Sequence, residues 1–408
     1  MLKKVGAVAF IAALGSVIVA TTAWGSAKAP AHVSAAAAKS VKCGKKVTIG
    51  VAYPETGPAA TLGAPQWDWA NFAKKTWNKN HKLKIAFVRG DTQLAGNNPQ
   101  AVQVAHAFAS NGKILAVTGP AGSQEVEDSI SAYKQGGLVT VSGSATRVAL
   151  TRPTTNPTAA RETPKGYFFR TVPNDGQQGD NVASYIHNVL KKKNVRIIDD
   201  EEAYSQGLSA QVKNDLQADG VTVTTDHISQ QNPDYNSVIA GIPSSTQLVY
   251  IPWQVPAMAQ QFFTQLRANG DKQIVMGSDG TDDPSTFKGA GSYVSGFPVD
   301  TSSSALKAFQ KSHHGDPETF GLPTYTSVMV NATALNMACK AGHGKTTRAA
   351  VRKDVAKVKL SDKVSLLGFP VAFLNKNHSK FQGPGDMGGK AAFGIYKIQP
   401  NGSYKRVG

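Results

Sequence analysis

Short β-branched segments alternate with segments of helical periodicity along most of this 408-residue chain, and this alternation limits the folds open to it. The first half predicts strands at residues 46–52, 83–88, 114–118 and 138–141, with helices at 65–78 and 99–110. The pattern then starts again, with strands at residues 195–198, 221–225, 248–251 and 274–276 and helices at 181–192, 208–217 and 256–268. Such alternation predicts an α/β protein with two parallel-sheet domains.

The composition is that of a soluble globular protein, with 41% hydrophobic and 17% charged residues. The formal net charge is +17, but the lysines and arginines are spread along the chain. The densest short run, Lys191-Lys192-Lys193, ends a predicted helix, where positive charge is favoured. Because no nucleic-acid-binding motif accompanies this charge, we interpret it as solvated surface and expect no nucleic-acid partner.

Residues 1–29 have the layout of a signal peptide. Lys3 and Lys4 precede an apolar run at residues 5–20, and small residues follow it. The run is shorter than a membrane span and is interrupted by glycines. Residues 30–44 then read as a flexible spacer, much of it alanine and serine. We therefore expect an exported protein, in the periplasm or at the cell exterior.

The chain contains two cysteines, Cys43 and Cys339. Their separation excludes a CxxC-type metal site, and the sequence predicts no bound metal. In an exported protein the two could form one disulfide bond, and two free thiols are the alternative.

The residues that follow each predicted strand are the candidate site residues, because ligands of parallel sheets bind beyond the carboxyl ends of the strands. Ser123 follows the strand at 114–118, and Ser144 and Thr146 follow the strand at 138–141. Hydroxyl groups and backbone amides at such positions suit a carboxylate. Capping of a helix N terminus is the alternative interpretation.

Two further candidates follow strands of the second half. Tyr204 follows the strand at 195–198, and an aromatic side chain with a polar end can cover a ligand. Asp279 follows the strand at 274–276, and its carboxylate could hold an ammonium group. An Asx turn is the alternative role for Asp279.

The sequence around these positions does not fit known catalytic motifs. The segment Ala121-Gly122-Ser123-Gln124-Glu125 does not match the G-x-S-x-G pattern of a nucleophile elbow. The segment Gly344-Lys345-Thr346 has Cys339 where a phosphate loop requires its first glycine, and it follows a helix. The sequence therefore predicts neither an enzyme nor a cofactor.

Several short segments occur in an order and spacing that together form a specific pattern. They are Thr56-Gly57-Pro58-Ala59, Asp91-Thr92-Gln93, Thr118-Gly119-Pro120, Ser142 to Thr146, Leu150-Thr151, Tyr167 to Pro173, Asp175 to Gly179, Ala203 to Gly207, Gly277 to Gly280 and Tyr325 to Ala338. In this order the chain, from about Lys46 to its end, resembles the branched-chain amino acid (leucine/isoleucine/valine) binding proteins of ABC transporters.

The resemblance implies the type I periplasmic binding protein fold, with two Rossmann-like parallel-sheet lobes joined by a three-strand hinge. The N-terminal lobe would contain residues 45–165 plus 300–388, and the C-terminal lobe residues 166–299 plus 389–408. The resemblance also implies an amino acid bound in the cleft by lobe closure, ABC transporter permease subunits as partners, and a monomer.

The resemblance also implies a role for each candidate residue. Ser123 and Thr146 fall on positions that receive the ligand carboxylate. The backbone carbonyl of Ser144 takes part in holding the ammonium group. Tyr204 falls on the aromatic residue at the mouth of the cleft, and Asp279 on an acidic residue that binds the ammonium group.

Two departures from the family pattern affect the ligand side chain. Leu62 stands where some members have a tyrosine beside the ligand. Trp253 and Gln254 lie in a segment that replaces another ligand-facing tyrosine, so both are candidate ligand residues. A protein of the same fold that binds an amide, a urea or an aromatic acid is the alternative, but an aromatic acid would have no use for Asp279.

Overall fold

Two sheets organise the part of the chain that a computed structural model describes, namely residues 40–94, 99–153, 161–297, 304–312, 320–388 and 393–408. The predicted signal peptide and most of the predicted spacer, residues 1–39, lie outside the described residues. Within the described ranges, no helix combines the length and apolar character that a membrane crossing requires.

Strands and helices alternate along the described chain, as the sequence predicts. The strands are β1 (Val41–Lys42), β2 (Lys46–Tyr53), β3 (Lys84–Asp91), β4 (Ile114–Thr118), β5 (Thr140–Ser142), β6 (Phe168–Arg170), β7 (Asn194–Asp199), β8 (Thr222–His227), β9 (Leu248–Ile251), β10 (Ile274–Gly277), β11 (Tyr293–Gly296), β12 (Lys345–Thr346), β13 (Lys359–Leu360), β14 (Val371–Ala372), β15 (Gly394–Ile398) and β16 (Tyr404–Arg406).

The helices connect these strands and cover the sheets. They are α1 (Ala60–Asn80), α2 (Pro99–Ser110), α3 (Ser123–Gln135), α4 (Asp175–Ser184), α5 (Ala203–Ala218), α6 (Tyr235–Ala240), α7 (Pro256–Ala268), α8 (Ser304–Ser312), α9 (Gly321–Ala341), α10 (Arg348–Val355) and α11 (Asp362–Ser365). A π-helical turn at Tyr185–Val189 extends α4, and short 3-10 turns lie at Val148–Leu150 and Asp279–Thr281.

The first sheet has the spatial order β3-β2-β4-β5-β6, and all its neighbouring strands are parallel. The chain runs from β2 outward to β3 and then returns to the other side of β2 at β4. This reversal of strand order creates a switch point, where a crevice opens beyond the carboxyl ends of β2 and β4.

The second sheet has the spatial order β8-β7-β9-β10-β11-β15-β16. Its strands from β8 to β11 are parallel, and β15 and β16 add antiparallel strands at the other edge. The strand order reverses between β7 and β9, as it does between β2 and β4 in the first sheet. The second sheet therefore has a switch point of its own.

Apolar clusters lie on both faces of each sheet. In the first sheet, residues of α1 and α9 belong to one cluster and residues of α2 and α3 to another. In the second sheet, α6 and α7 contribute to one cluster and α4 and α5 to another. Burial on both faces explains why Ile114–Thr118 reads as an apolar run in which every residue is buried.

The chain passes between the two sheets three times, after β6, after β11 and before β15. One buried residue from each crossing, Val172, Phe297 and Phe393, packs in a cluster with Phe320. The ring centroid of Phe297 lies 4.7 Å from that of Phe393 and 5.6 Å from that of Phe320. The crossings are therefore held together by their own small aromatic core.

The sheet membership of β6 moves one predicted boundary. The sequence division assigns residue 166 onward to the second lobe, but Phe168–Arg170 pairs with β5 in the first sheet. We therefore place the first crossing after Arg170 and retain the rest of the two-lobe division as a proposal.

Helix limits differ from prediction where a capping side chain or an internal proline decides them. The helix predicted at 181–192 begins at Asp175, because the Asn174 side chain caps it by accepting from the Gly176 amide at 3.1 Å. The helix predicted to start at Pro65 begins at Ala60 and contains the proline. There the missing amide of Pro65 removes a single helical hydrogen bond.

A disulfide bond joins Cys43, just after β1, to Cys339 in α9. The two cysteines are 296 residues apart, and their Cα atoms lie 6.0 Å apart. The pairing of β1 with β12 and a hydrogen bond of 2.9 Å from the Cys43 amide to the Gly344 carbonyl hold the same segment. The N-terminal end of the first lobe is thus fastened to α9 and to the segment that follows it.

Replacing both cysteines should destabilise the protein, because a bond that closes so long a loop restricts the unfolded chain. We expect the double variant Cys43→Ser, Cys339→Ser to lose about 2–5 kcal/mol of unfolding free energy in urea titrations. Reductant should lower the stability of the wild type and leave the double variant unchanged. Equal unfolding midpoints for the oxidised wild type and the double variant would contradict this role.

Candidate functional site

A cavity lies between the two lobes. Its lining comes almost entirely from segments that follow strands at the two switch points. From the first lobe these residues are Leu62, Gln66, Leu94, Ala121, Gly122, Ser123, Ser144 and Phe320, and from the second lobe Tyr204, Gln254, Asp279 and Gly280.

The first lobe presents hydroxyl groups to this cavity from two neighbouring strand ends. Ser123 is the first residue of α3, after Gly122 in the capping position, and its hydroxyl accepts from the Arg147 amide at 3.2 Å. Ser144 follows β5, and its hydroxyl donates to the Ala121 carbonyl at 2.8 Å. Because a helix N terminus carries unpaired amides and partial positive charge, this end of the cavity favours an anion.

A buried arginine fixes the loop that follows β5. Arg170, at the end of β6, donates to the carbonyl oxygens of Ala145 and Arg147 at 3.2 and 2.7 Å. The same guanidinium contacts Asp386 at 2.6 Å, with both side chains buried. These bonds hold the backbone on both sides of Thr146 and so position the polar loop beside the cavity.

The second lobe presents a buried carboxylate. Asp279 follows β10 and is only 1% exposed, and Oδ1 of Asp279 accepts a hydrogen bond from the Tyr204 hydroxyl. Burial raises the pKa of Asp279 to about 6, against the lowering effect of its hydrogen bonds. A carboxylate at the end of a ligand cavity, desolvated in this way, is a site for a cationic group.

In the turn at Asp279, the backbone of Gly280 lies very close to the backbone of the segment after β9. A Cβ atom on Gly280 would lie 2.4 Å from the Trp253 carbonyl oxygen and 2.9 Å from the Cα of Gln254. Only glycine fits this space, so Gly280 allows Asp279 and Gln254 to line the same cavity.

Asp175 is a second buried carboxylate that the sequence analysis did not select. It begins α4, is 1% exposed, and its amide donates to the Thr146 carbonyl at 2.9 Å. Within the described ranges its carboxylate oxygens make no well-formed hydrogen bond, although the Thr146 hydroxyl is near enough to favour the charged form. Burial, and then repulsion by Asp279, raise the pKa of Asp175 well above its ordinary value.

Two buried carboxyls that repel each other titrate as a pair, and a cation near them would relieve the repulsion. Asp175 lies in the segment Asp175 to Gly179 of the family resemblance, and its one local sequence signal is the Asn174-Asp175 pair. That signal is also typical of plain helix capping, so it could not identify a site residue.

The structure brings most of the predicted site residues together. Leu62, Ser123, Ser144, Tyr204, Gln254 and Asp279 all line the cavity. Thr146 is 1% exposed and lies outside the lining, against Asp175.

Trp253 also lies outside the cavity lining, in the core of the second lobe. Its indole nitrogen donates to the Ile198 carbonyl at 2.7 Å, and its ring centroid lies 5.4 Å from that of Phe262. Along an extended segment successive side chains point to opposite sides, so the core takes Trp253 and the cavity takes Gln254. The prediction of Trp253 as a cavity residue is therefore wrong for its side chain.

Three lining residues were missed entirely: Gln66, Leu94 and Phe320. Gln66 lies one turn after Leu62 on α1, so a helical spacing from Leu62 could have found it. Leu94 and Phe320 lie in sequence segments without helical or strand periodicity, and no local sequence motif identifies them as site residues.

An arginine of the first lobe contacts the second lobe next to the cavity. The Arg147 guanidinium donates to the Ala203 carbonyl, in the first turn of α5, and forms ion pairs of 3.0 Å with Glu127 and Glu162. This bond is made between lobes, so it contributes only when the two lobes are close together.

Buried acidic residues accumulate around the start of α5 and α3. Burial raises the pKa of Asp200 to about 6 and that of Glu125 to about 7. Burial, and then the nearby Asp200, Glu125 and Asp128 carboxylates, raise the pKa of Glu202 to about 8. Among the described residues, no group of three or more His, Cys, Asp or Glu side chains is arranged to hold a metal ion.

Comparison with known proteins agrees with this architecture. Residues 46–384 match the family model described as periplasmic binding protein. An amino acid binding protein of Pseudomonas aeruginosa is 30% identical over 306 residues, which cover 71% of this chain and 78% of that protein. The chain therefore belongs to the periplasmic binding protein family.

Solved structures share the fold. The leucine binding protein LivK of Thermotoga maritima superposes with a TM-score of 0.75 at 18% identity, over 89% of this chain and 98% of the other. The branched-chain amino acid transporter substrate binding protein LivJ of Streptococcus pneumoniae, in complex with isoleucine, superposes with a TM-score of 0.70 at 20% identity. The superposition covers 89% of this chain and 99% of the other. The predicted fold class and family are confirmed.

The raised pKa values predict that stability falls as pH rises when no ligand is added. A carboxyl with a raised pKa holds its proton more tightly in the folded than in the unfolded chain. Its contribution is full below the unfolded pKa and is lost through the folded pKa, which for Glu202 is about 8. We expect urea titrations to give a lower free energy of unfolding at about pH 8 than at about pH 5.

Glu202→Gln should make this decline shallower, because a glutamine has the same shape and does not titrate. Glu201→Gln is the matched control, since Glu201 is exposed, and it should leave the decline as it is in the wild type. If the free energy of unfolding fell equally with pH in Glu202→Gln and in the wild type, the titration of Glu202 would not cause the decline.

Proposed function

We propose that this chain is the extracytoplasmic solute-binding protein of an ABC importer. It binds an α-amino acid, branched-chain or similar, in the cavity between the lobes, and it catalyses no reaction. The observation that carries this proposal is the division of the cavity lining. The Ser123 hydroxyl and a helix N terminus lie on one lobe, and a buried carboxylate lies on the other, at Asp279.

The first lobe supplies the binding site for the ligand carboxylate. The Ser123 hydroxyl can donate to it, since the bond from the Arg147 amide uses that oxygen only as an acceptor. The amides of the first turn of α3 add donors that the helix itself leaves unpaired. Thr146 lies behind the cavity lining, and its carbonyl accepts a hydrogen bond from the Asp175 amide. This bond helps to position the loop that carries Ser144.

The second lobe supplies the binding site for the ammonium group. Asp279 offers a charged acceptor inside the cavity, with the Tyr204 hydroxyl fixing its orientation. The carbonyl of Ser144 is proposed to accept from the same ammonium group. Asp175 lies behind Asp279, and a cation in the cavity would favour the ionised form of both carboxyls without direct contact to Asp175.

Closure of the lobes follows from this division, because only the closed arrangement lets one ligand contact both lobes. The Arg147 bond to the Ala203 carbonyl and the Phe320 contact with the crossings stabilise that closed arrangement. Ligand binding then shifts the equilibrium toward the form that transporter permease subunits would recognise.

Several observations support export and transport. The N-terminal layout of residues 1–29 is that of a signal peptide, and a Cys43–Cys339 disulfide suits an oxidising compartment. Relatives whose names specify amino acid binding support the ligand class. We propose that the protein works as a monomer in the periplasm or at the cell exterior.

Asp279→Asn should weaken amino-acid binding strongly, because it leaves the ammonium group without a charged partner in a buried site. We expect a loss of about 2–5 kcal/mol, seen as a rise in the dissociation constant by isothermal titration calorimetry. The matched control is Asp271→Asn, in the connection that precedes the same strand and outside the cavity lining, which should bind as the wild type does.

Unchanged amino-acid affinity in Asp279→Asn would contradict the amino-acid assignment. The ligand set should include leucine, isoleucine and valine beside acetamide, urea and benzoate, as representatives of the alternative ligand classes. Tight binding of one of these three, with no binding of any amino acid, would transfer the assignment to the alternative class.

A further inference from the structure

We propose that Gln66 and Gln254 select a ligand whose side chain is neutral and polar, with both a hydrogen-bond donor and an acceptor, as in a hydroxyl or a carboxamide. This inference rests on the proposed function, because it concerns the side chain of the bound amino acid. The two glutamines belong to opposite lobes, and both line the cavity.

The hydrogen bonds around Ser144 fix the orientation of Gln66. The Ala121 carbonyl can only accept, so the Ser144 hydroxyl donates its one hydrogen to it, at 2.8 Å. The Ser144 oxygen must therefore accept in its 2.7 Å bond with Gln66, which places the Nε2 group of Gln66 on that side. The Oε1 atom of Gln66 is then turned away from Ser144 as an acceptor.

This Oε1 atom is buried and has no hydrogen-bond partner in the part of the chain that the structure describes. Gln66 as a whole is only 1% exposed. An acceptor withdrawn from water in this way is costly unless a donor reaches it. In a residue that lines a ligand cavity, the ligand is the natural source of that donor.

Gln254 presents the complementary case on the other lobe. The backbone amide of Gln254 donates to Oδ2 of Asp200 at 3.2 Å, and this bond holds the backbone in place after β9. Gln254 as a whole is 5% exposed, and its Nε2 atom has no partner among the described residues. Of the two glutamines that line the cavity, one thus has an unused acceptor and the other an unused donor.

An aliphatic ligand side chain would cover the side-chain amides of Gln66 and Gln254 without forming a hydrogen bond to either. A hydroxyl can donate to Gln66 and accept from Gln254, and a carboxamide can do the same with its two ends. Leu62, Leu94 and Phe320 add apolar surface to the same lining. Threonine carries such a hydroxyl, and asparagine carries such a carboxamide.

Pairs of amino acids with matched shape test this directly. Threonine and valine differ by a hydroxyl in place of a methyl group, and asparagine and leucine by a carboxamide in place of an isopropyl group. We expect isothermal titration calorimetry on the wild-type protein to show the polar member of each pair binding about tenfold more tightly, or better.

Gln66→Met and Gln254→Met should each reduce this preference, because methionine keeps a similar length and removes the amide. The measured quantity is the ratio of the dissociation constants within each pair. Gln211→Met is the matched control, since Gln211 lies on α5 outside the cavity and bonds to Asp215. It should leave both ratios unchanged.

The possible outcomes separate this inference from the proposed function. If leucine and valine bind as tightly as their polar partners, the inference fails and the proposed function stands. If a methionine variant weakens all four amino acids by the same factor, that glutamine contacts the α-ammonium or α-carboxylate group and the inference fails. Absence of binding for every amino acid would overturn the proposed function itself.

Discussion

The buried ion pair between Arg170 and Asp386 is the interaction on which the site depends. Neither charge is accessible to water, so each needs the other and a full set of hydrogen bonds. Nη1 of Arg170 donates to the two carbonyls that flank Thr146, and Nη2 donates to the Thr151 hydroxyl. Asp386 also accepts from the Gly383 amide at 2.8 Å. The pair thus connects the end of the last strand of the first sheet, the loop that carries Ser144, and a segment more than 200 positions later in the chain. Loss of one partner would leave an isolated charge and release the loop.

Both lobes build their part of the site in the same way. Each sheet reverses its strand order once, between β2 and β4 or between β7 and β9, and each opens a crevice at that point. The two crevices face a common cavity, but their chemistry differs. The first carries hydroxyl groups and a helix N terminus, and the second carries Asp279 with Asp175 behind it. This asymmetry suits a molecule with a negative and a positive end, and the aromatic cluster at the crossings joins the two halves on one side.

Much of the fold could be predicted from local sequence. The limits of Pro99–Ser110, Ile114–Thr118, Leu248–Ile251 and Pro256–Ala268 match the predictions, because a proline or a short run of buried apolar residues marks their ends. Helix α9 is buried along most of its length, so it has no amphipathic period, and it was found only within a segment of family resemblance. Helix α3 follows the hydroxyl-rich strand end and is absent from the predicted helices, although Ser123 is a predicted site residue.

The sequence by itself, through the strand ends and the family resemblance, identified six of the residues that line the cavity. Tertiary structure alone decided which of the neighbours Trp253 and Gln254 faces the ligand, and it alone brought in Gln66, Asp175 and Phe320. The physical reason is the range of the interactions involved. Helix and strand periods are set by contacts a few residues apart, whereas Gln66 is oriented by Ser144, 78 positions away. A buried charge or an unpaired amide is defined only by what surrounds it after the chain has folded.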